Sequence, residues 1–417
     1  MSMELQDLIY DWNELAGSFD FSEMRVELDD ETLRDGLQNP TVKDPPLAQK
    51  RKLLHLMVEL GIQAADIGLP GAGPRAREAV LGLAKEIVDN DLPISANCAA
   101  RTVKADIEPI VEVSQATGLR FEVGAFLGSS PIRKYAEGWQ SSMLRRATEE
   151  AVTFAVSEGL DVMYVTEDTT RSQPETLREL YTTAIECGAG RICLADTVGH
   201  ATPHGVRQLV RFTKELVKDT GENVKIDWHG HRDRGLGLAN CLAAIEEGVD
   251  RVHATALGIG ERCGNAEMDL LLVNMKLLGM HDGDLTRLPE YCGLAAKMCG
   301  VSIGHAYPVV GDDAFRTGTG VHAAAIIKAI RMGDPWLEDR VYSGVPASEV
   351  GLKQKIEVSP VSGLSNVRYW LEEHGYDPED ERLCAAVFDL AKRSDHTLTE
   401  TEIDEEIERT LAEATTA

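Results

Sequence analysis

Short apolar, β-branched runs recur along the first 255 residues of the chain. They lie near Met24–Leu28, Ala64–Ile67, Pro93–Ala96, Leu119–Val123, Asp161–Val165, Arg191–Ala195, Lys225–Trp228 and Arg251–Thr255. Stretches of helical period separate them, among them Pro46–Leu60, Ala76–Val88 and Leu236–Glu247. Runs of this kind read as strands, and strands that alternate with helices build a parallel sheet. Eight of them close most simply into a (β/α)8 TIM barrel, with a doubly wound open sheet as the competing arrangement. The polar residues favour the barrel. Nearly every strand candidate ends in groups capable of chemistry: Arg34 and Asp35, Asp66, Asn97, Ser129 and Ser130, Glu167 and Asp168, Asp196 and Thr197, His229 and His231, Glu261 and Asn265. In a barrel these ends meet on one face, the face that carries active sites in this architecture.

After about Leu278 the alternation stops while helical periodicity continues. The chain therefore divides into a barrel over 1–280, with a short N-terminal extension, and a helical C-terminal region over 281–417. Segments around Gly311–Gly320 and Ser343–Gly363 are rich in Gly, Ser and Pro and read as linkers. The stretch Asp377–Thr415 is acidic and helical, with a solvated face. Neither a solenoid repeat nor a low-complexity tract interrupts the pattern.

Composition narrows the function classes. Sixty-nine acidic residues against 42 basic ones give a net charge of −27, which argues against a nucleic acid or an anionic membrane as partner. No run of 18 apolar residues exists to span a bilayer. Met1–Asp20 is polar and acidic, without the pattern of a signal peptide. The eight cysteines include no Cys-x-x-Cys pair and fit free thiols in a reducing cytoplasm. A cytoplasmic enzyme or a large binding protein remains.

Three local signals carry candidate chemistry. In Asp227-Trp228-His229-Gly230-His231 the two histidines are two residues apart at a strand end, so both imidazoles point the same way and offer a divalent metal two nitrogens; two unrelated surface histidines are the plainer alternative. In Leu33-Arg34-Asp35-Gly36-Leu37-Gln38, Asp35 adds a carboxylate and Arg34 a fixed cation, unless the segment is only a capped loop. Gly258-Ile259-Gly260-Glu261-Arg262-Cys263-Gly264-Asn265 is glycine-rich, but it follows the eighth strand and lacks dinucleotide-fingerprint spacing. Asn265 suits a neutral oxygen ligand there, and Cys263 reads as a small side chain in a tight loop.

The string Asp30-Glu31-Thr32-Leu33-Arg34-Asp35-Gly36, with His229-x-His231, Gly260-Glu261-Arg262 and Gly264-Asn265, resembles the metal-dependent acyl-CoA Claisen condensers, the 2-isopropylmalate, citramalate and homocitrate synthases. Asp196-Thr197-Val198-Gly199-His200-Ala201-Thr202-Pro203 resembles that family's sixth strand and loop, and the likeness continues more weakly through Gly320-Val321-His322 and Ser362-Gly363. It implies that Asp35, His229 and His231 ligate a divalent ion (Mg, Mn, Co or Zn), with Asn265 in or near the shell. A 2-oxo acid would chelate the remaining positions, and acetyl-CoA would be the co-substrate. Arg34 would stabilise the developing oxyanion, Glu167 would organise the acetyl group or its proton path, and Thr197 would hold the acceptor's carboxylate. Gln38 and Arg133 would line the substrate site, Arg133 as partner for a second acceptor anion. His322 would act as a base in the barrel of a partner subunit, which implies a homodimer; Tyr369 is a further candidate, with packing as its plainer role. The family's larger regulated members carry a further C-terminal domain, so leucine feedback is not expected here.

The chain also departs from that pattern. Asp66-Ile67-Gly68-Leu69-Pro70 stands where the synthases have Glu-x-Gly-x-Pro, Gly124 where they have His, and Val165 where they often have Ser. Leu37-Gln38-Asn39 after Arg-Asp-Gly is closer to hydroxymethylglutaryl-CoA lyase, although the lyases' Gly-Gly-Cys loop reads Gly258-Ile259-Gly260 here, with Cys263 displaced. A lyase and a non-catalytic metabolite binder are therefore the rival readings.

Overall fold

A computed structural model of the protein describes residues 8–13 and 20–416; most of the segment read as lacking a signal peptide lies outside them. Eight parallel strands close into a barrel in sequence order: β1 (Glu27–Asp30), β2 (Ala64–Asp66), β3 (Ser95–Arg101), β4 (Glu122–Gly128), β5 (Asp161–Glu167), β6 (Arg191–Asp196), β7 (Lys225–Gly230) and β8 (Arg251–Ala254). Pairing of β1 with β8 completes the closure and rules out the open sheet. The helices Leu47–Glu59, Pro74–Asp89 and Gly237–Glu246 fall where the 3.6-residue period predicts them.

Three strands begin later than their apolar runs suggest. β1 runs into Asp29 and Asp30 instead of starting at Met24, and β3 and β4 extend through small residues to Arg101 and Gly128. The reason is the composition of the barrel interior. Outward residues such as Val123, Tyr164, Leu194, Trp228 and Val252 are buried and apolar. The inward set, two residues apart along each strand, is charged at its lower level, at Asp29, Glu122, Asp227 and Arg251, and mixes small and apolar residues above it on β3 to β6. A search for apolar runs therefore sees only half of each strand.

Contacts divide the chain into two compact units. One holds the residues through Gly283 together with Glu290–Ser302; the other holds Asp284–Pro289 and the residues from Ile303. Within the first, Tyr291 of the helix Leu288–Cys299 donates its hydroxyl to the buried carboxylate of Asp30 on β1. Burial pushes that carboxyl up to about 6 despite the bonds from Thr32 and Tyr291.

The second unit contains the helices Gly320–Met332, Pro335–Arg340, Leu364–Glu373, Glu381–Arg393 and Glu400–Thr416. It also contains a short parallel pair, Arg316–Thr317 with Lys355–Ile356, inside the two segments that read as linkers. Side-chain bonds hold these segments: Ser362 Oγ donates to Gly318 O at 2.6 Å, and Asn366 Nδ2, from the following helix, to Glu357 O at 2.9 Å. Polar side chains of this size bond backbone as readily as water, so linker-like composition here marks an ordered crossing. None of the helices among the described residues is long and apolar enough to cross a membrane.

The lower interior of the barrel is an ion network. Asp227 on β7 accepts from Arg191 Nη1 at 2.5 Å and from Arg251 Nε at 2.8 Å. Glu122 on β4 pairs with both arginines, and Glu27 with Arg191 at 2.9 Å. Arg191 and Arg251 are buried, so removing one partner strands charge inside the barrel. Arg251→Ala should cost about 3–5 kcal/mol of unfolding free energy in urea. Arg120→Ala, which breaks an exposed pair with Asp161, serves as control and should leave the midpoint almost unchanged. Equal effects from the two variants would show that the network does not carry the barrel's stability.

Candidate active site

Above that network the strand ends surround a cavity of about 200 Å³. On the side of β1, β7 and β8 its lining is polar: Glu31, Arg34, Asp35, Gln38, His229, His231, His253, Glu261 and Arg262, with Asp66 beside them. Across the barrel the lining is mostly apolar, made of Leu69, Ala99, Gly124, Phe126, Met163, Val165, Cys193 and Ala195, with Glu167 and Thr197 at the strand ends.

The polar side is built around Asp35. Its Oδ1 accepts from Asn265 Nδ2 at 2.7 Å and from the Glu261 amide at 3.2 Å. Its Oδ2 accepts from Arg34 Nη1 at 3.0 Å and lies 3.7 Å from His231 Nε2. Arg34 also gives its Nε to Asp66 at 2.9 Å and its Nη2 to Glu31. Burial opposes charge on Asp35, but Arg34 and the two histidines hold its carboxyl well below the usual range. Asp66 is pushed up to about 6 by burial in spite of Arg34.

The glycine-rich loop explains itself at this point. A Cβ on Gly260 would collide with Asn265 Nδ2 and sit 2.8 Å from Asp35 Oδ1, and one on Gly264, at φ +100°, would collide with Gly258 O. The glycines let backbone close over the carboxylate; they form no phosphate cradle.

Asp35, His229 and His231 are all buried and offer ligand atoms within 4.8 Å of one another. Burial lowers His229 to about 3 and His231 to about 4, so both imidazoles are neutral at pH 7, the form that binds metal. The Asn265 Oδ1 and His231 Nδ1 atoms are buried without a hydrogen-bond partner. Unsatisfied buried polar atoms around a neutral nitrogen pair and an ionised carboxylate fit a divalent ion.

The remaining candidates fall into three groups. Gln38, Glu167 and Thr197 line the cavity. Arg133 does not: it lies over the Trp139 ring, 3.8 Å from Glu167 Oε1 and 3.3 Å from Glu137 Oε1. His322 and Tyr369 belong to the second unit, where exposed His322 stacks on Tyr342 at 4.2 Å and Tyr369 packs against Ala323, Ile326, Ile327 and Ile356. Several strand-end residues turn out to be local supports. Asn97 bonds Asp29, Asp168 binds Arg171, and Asp196 caps the amides of His200 and Ala201. Sequence reasoning passed over Glu31 and His253 as site residues. Glu31 stands inside a quoted motif, and His253 lies opposite His229 in the β7–β8 register, a relation visible only once the strands are paired.

The HMGL-like family pattern matches residues 25–292. The chain belongs to the HMGL-like family. Homocitrate synthase AksA of Methanopyrus kandleri is 34% identical over 84% of this chain and 83% of its own length. A 2-isopropylmalate synthase of Sulfolobus acidocaldarius is 32% identical over 88% of this chain and 90% of its own. The solved hydroxymethylglutaryl-CoA lyase of Pseudomonas aeruginosa shares the fold, with a TM-score of 0.57 at 19% identity over 68% of this chain and 95% of that one.

Purified protein should hold about one divalent ion per chain, since a carboxylate and two imidazoles leave open positions for substrate. Elemental analysis of wild type and His231→Ala checks this: the variant should lose the ion and retain its circular dichroism. An equal metal content in both would remove His231 from the site.

Proposed function

We propose that the chain is an acyltransferase that condenses acetyl-CoA with a 2-oxo acid and hydrolyses the resulting thioester, releasing CoA and a 2-alkylmalate-type product. The observation that carries this reading is the pairing of the Asp35–His229–His231 cluster and Arg34 with an apolar wall across one small cavity. A divalent ion at that cluster would act as a Lewis acid toward the acceptor's keto group. Arg34 has five N–H donors, of which three bind carboxylates, so donors remain for a developing oxyanion. The hydroxyl oxygen of Thr197 accepts from the Asp168 amide at 2.8 Å and keeps its own proton for the acceptor's carboxylate. Gln38 would contact the same substrate, and Glu167, at the cavity edge, would organise the acetyl group. His322 would be the base that takes the acetyl proton, supplied by a second copy in a homodimer. Its exposure supports such a role, whereas the packed Tyr369 suits structure. The eight free cysteines support a cytoplasmic enzyme.

The wall also selects the acceptor. With the keto acid held at the β1–β7 side, its side chain points at Gly124, Phe126, Met163 and Val165. The lining cations have no donor to spare for that side chain: Arg262 pairs with Asp233, and the donors that Arg34 keeps beside its three carboxylates serve the developing oxyanion. A second carboxylate on the acceptor would be buried unpaired. The reading is therefore a monocarboxylic 2-oxo acid with an apolar side chain. Cys263 is exposed and outside the lining, which disfavours the lyase reading.

Acetyl-CoA and a panel of 2-oxo acids, read as free thiol released, test both levels. Apolar monocarboxylic acceptors should turn over at least about 10-fold more efficiently than dicarboxylic ones. A dicarboxylic preference would overturn the acceptor class, and no thiol with any acceptor would overturn the synthase. Mixing inactive His322→Ala and Asp35→Ala chains should restore part of the activity if the base comes from the second copy. No recovery despite proven subunit exchange would assign His322 to its own barrel or to none.

A further inference from the structure

One buried histidine in the barrel has no part in the reading above. His253 on β8 lies between two carboxylates: its Nδ1 is 2.6 Å from Glu31 Oε1, and its Nε2 is 3.1 Å from Asp227 Oδ2. The same Glu31 oxygen is 3.0 Å from His229 Nδ1. An ionised carboxylate only accepts, so the Nδ1 of His229 and that of His253 each donate to Glu31, and His253 Nε2 donates to Asp227 in the same way. For His229 this fixes the tautomer and leaves Nε2 as the nitrogen with a free lone pair. Asp227 is anchored in turn by Arg191 and Arg251.

We propose that Glu31, His253 and Asp227 are positioning residues that set the tautomer and ring orientation of His229 and so govern the affinity of the Asp35–His229–His231 cluster for a divalent ion. The inference rests on that cluster being the metal site. A ligating imidazole holds its orientation only while its second nitrogen is bound, and carboxylates are the usual partners. Here the carboxylate is itself gripped from behind, through His253, by the ion network that holds the lower barrel together. Glu31, His229 and His253 also lie close enough to form a second cation site. The hydrogen bonds argue against that use. A cation there would have to displace both Nδ1 protons and break the contacts that satisfy Glu31.

Chelator competition with Zn or Mn on the full chain separates these possibilities. In His253→Gln one amide donor can reach only one of the two carboxylates, and in Glu31→Gln the acceptor charge is lost. Each should bind the ion about 10- to 100-fold more weakly than wild type. Activity should fall at limiting metal and recover largely at saturating metal, a rescue that a merely destabilised barrel would not give. Thermal melting confirms that the variants compared are folded, and Glu31→Gln carries the test if His253→Gln is not. Wild-type affinity in a folded variant would overturn the positioning role, as would two ions per wild-type chain. A wild-type chain that binds no ion would instead remove the metal site itself.

Discussion

Charge buried inside a closed barrel must be answered from another strand, and this requirement organises the whole catalytic unit. Inward positions on β1, β4 and β7 carry Asp29, Glu122 and Asp227, and they are met by Arg191 from β6 and Arg251 from β8. One level higher, Glu31, Asp35 and Asp66 converge on the single guanidinium of Arg34. Three carboxylates share that one cation, and burial raises Asp66 to about 6 in spite of it. The histidines stay neutral through burial and add no positive charge. A divalent ion beside Asp35 would add positive charge where three carboxylates share one guanidinium.

Much of this is legible in the primary structure, and the illegible part follows a rule. His229 and His231 announce themselves because period-two spacing is local, and Arg34-Asp35 because adjacent charges after a strand are conspicuous. His253 carries no such local sign. Its role depends on standing opposite His229 on one side and Asp29 on the other, a register that no single stretch encodes. For the same reason the strands themselves are visible on their outward, apolar faces and hidden where the interior is charged. The Arg316–Thr317 and Lys355–Ile356 pair is missed on other grounds, because two residues give no periodicity.

The glycine-rich loop shows how a correct observation can have more than one physical cause. Gly258, Gly260 and Gly264 suggest a phosphate-binding backbone, whereas their geometry serves close approach: the loop wraps Asp35 and Asn265 so tightly that side chains would collide. The same loop contributes the Glu261 amide to Asp35 and fixes the oxygen that faces away from His231. Cys263 is left exposed on its outer side, where a thiol has nothing in the cavity to attack.

The two faces of the cavity differ in chemistry, one charged and one mostly apolar. Two of the departures from the synthase pattern, Gly124 and Val165, fall on the apolar wall, and Asp66 falls beside Arg34, while Asp35, His229 and His231 keep the pattern. A Cβ at Gly124 would meet Met163 Cε at 3.3 Å, a contact that the flexible end of the methionine can relieve by a small shift. Gly124, Phe126, Met163 and Val165 line the cavity but take no part in the ion pairs of Arg34, so the wall can vary without breaking the cluster around Asp35.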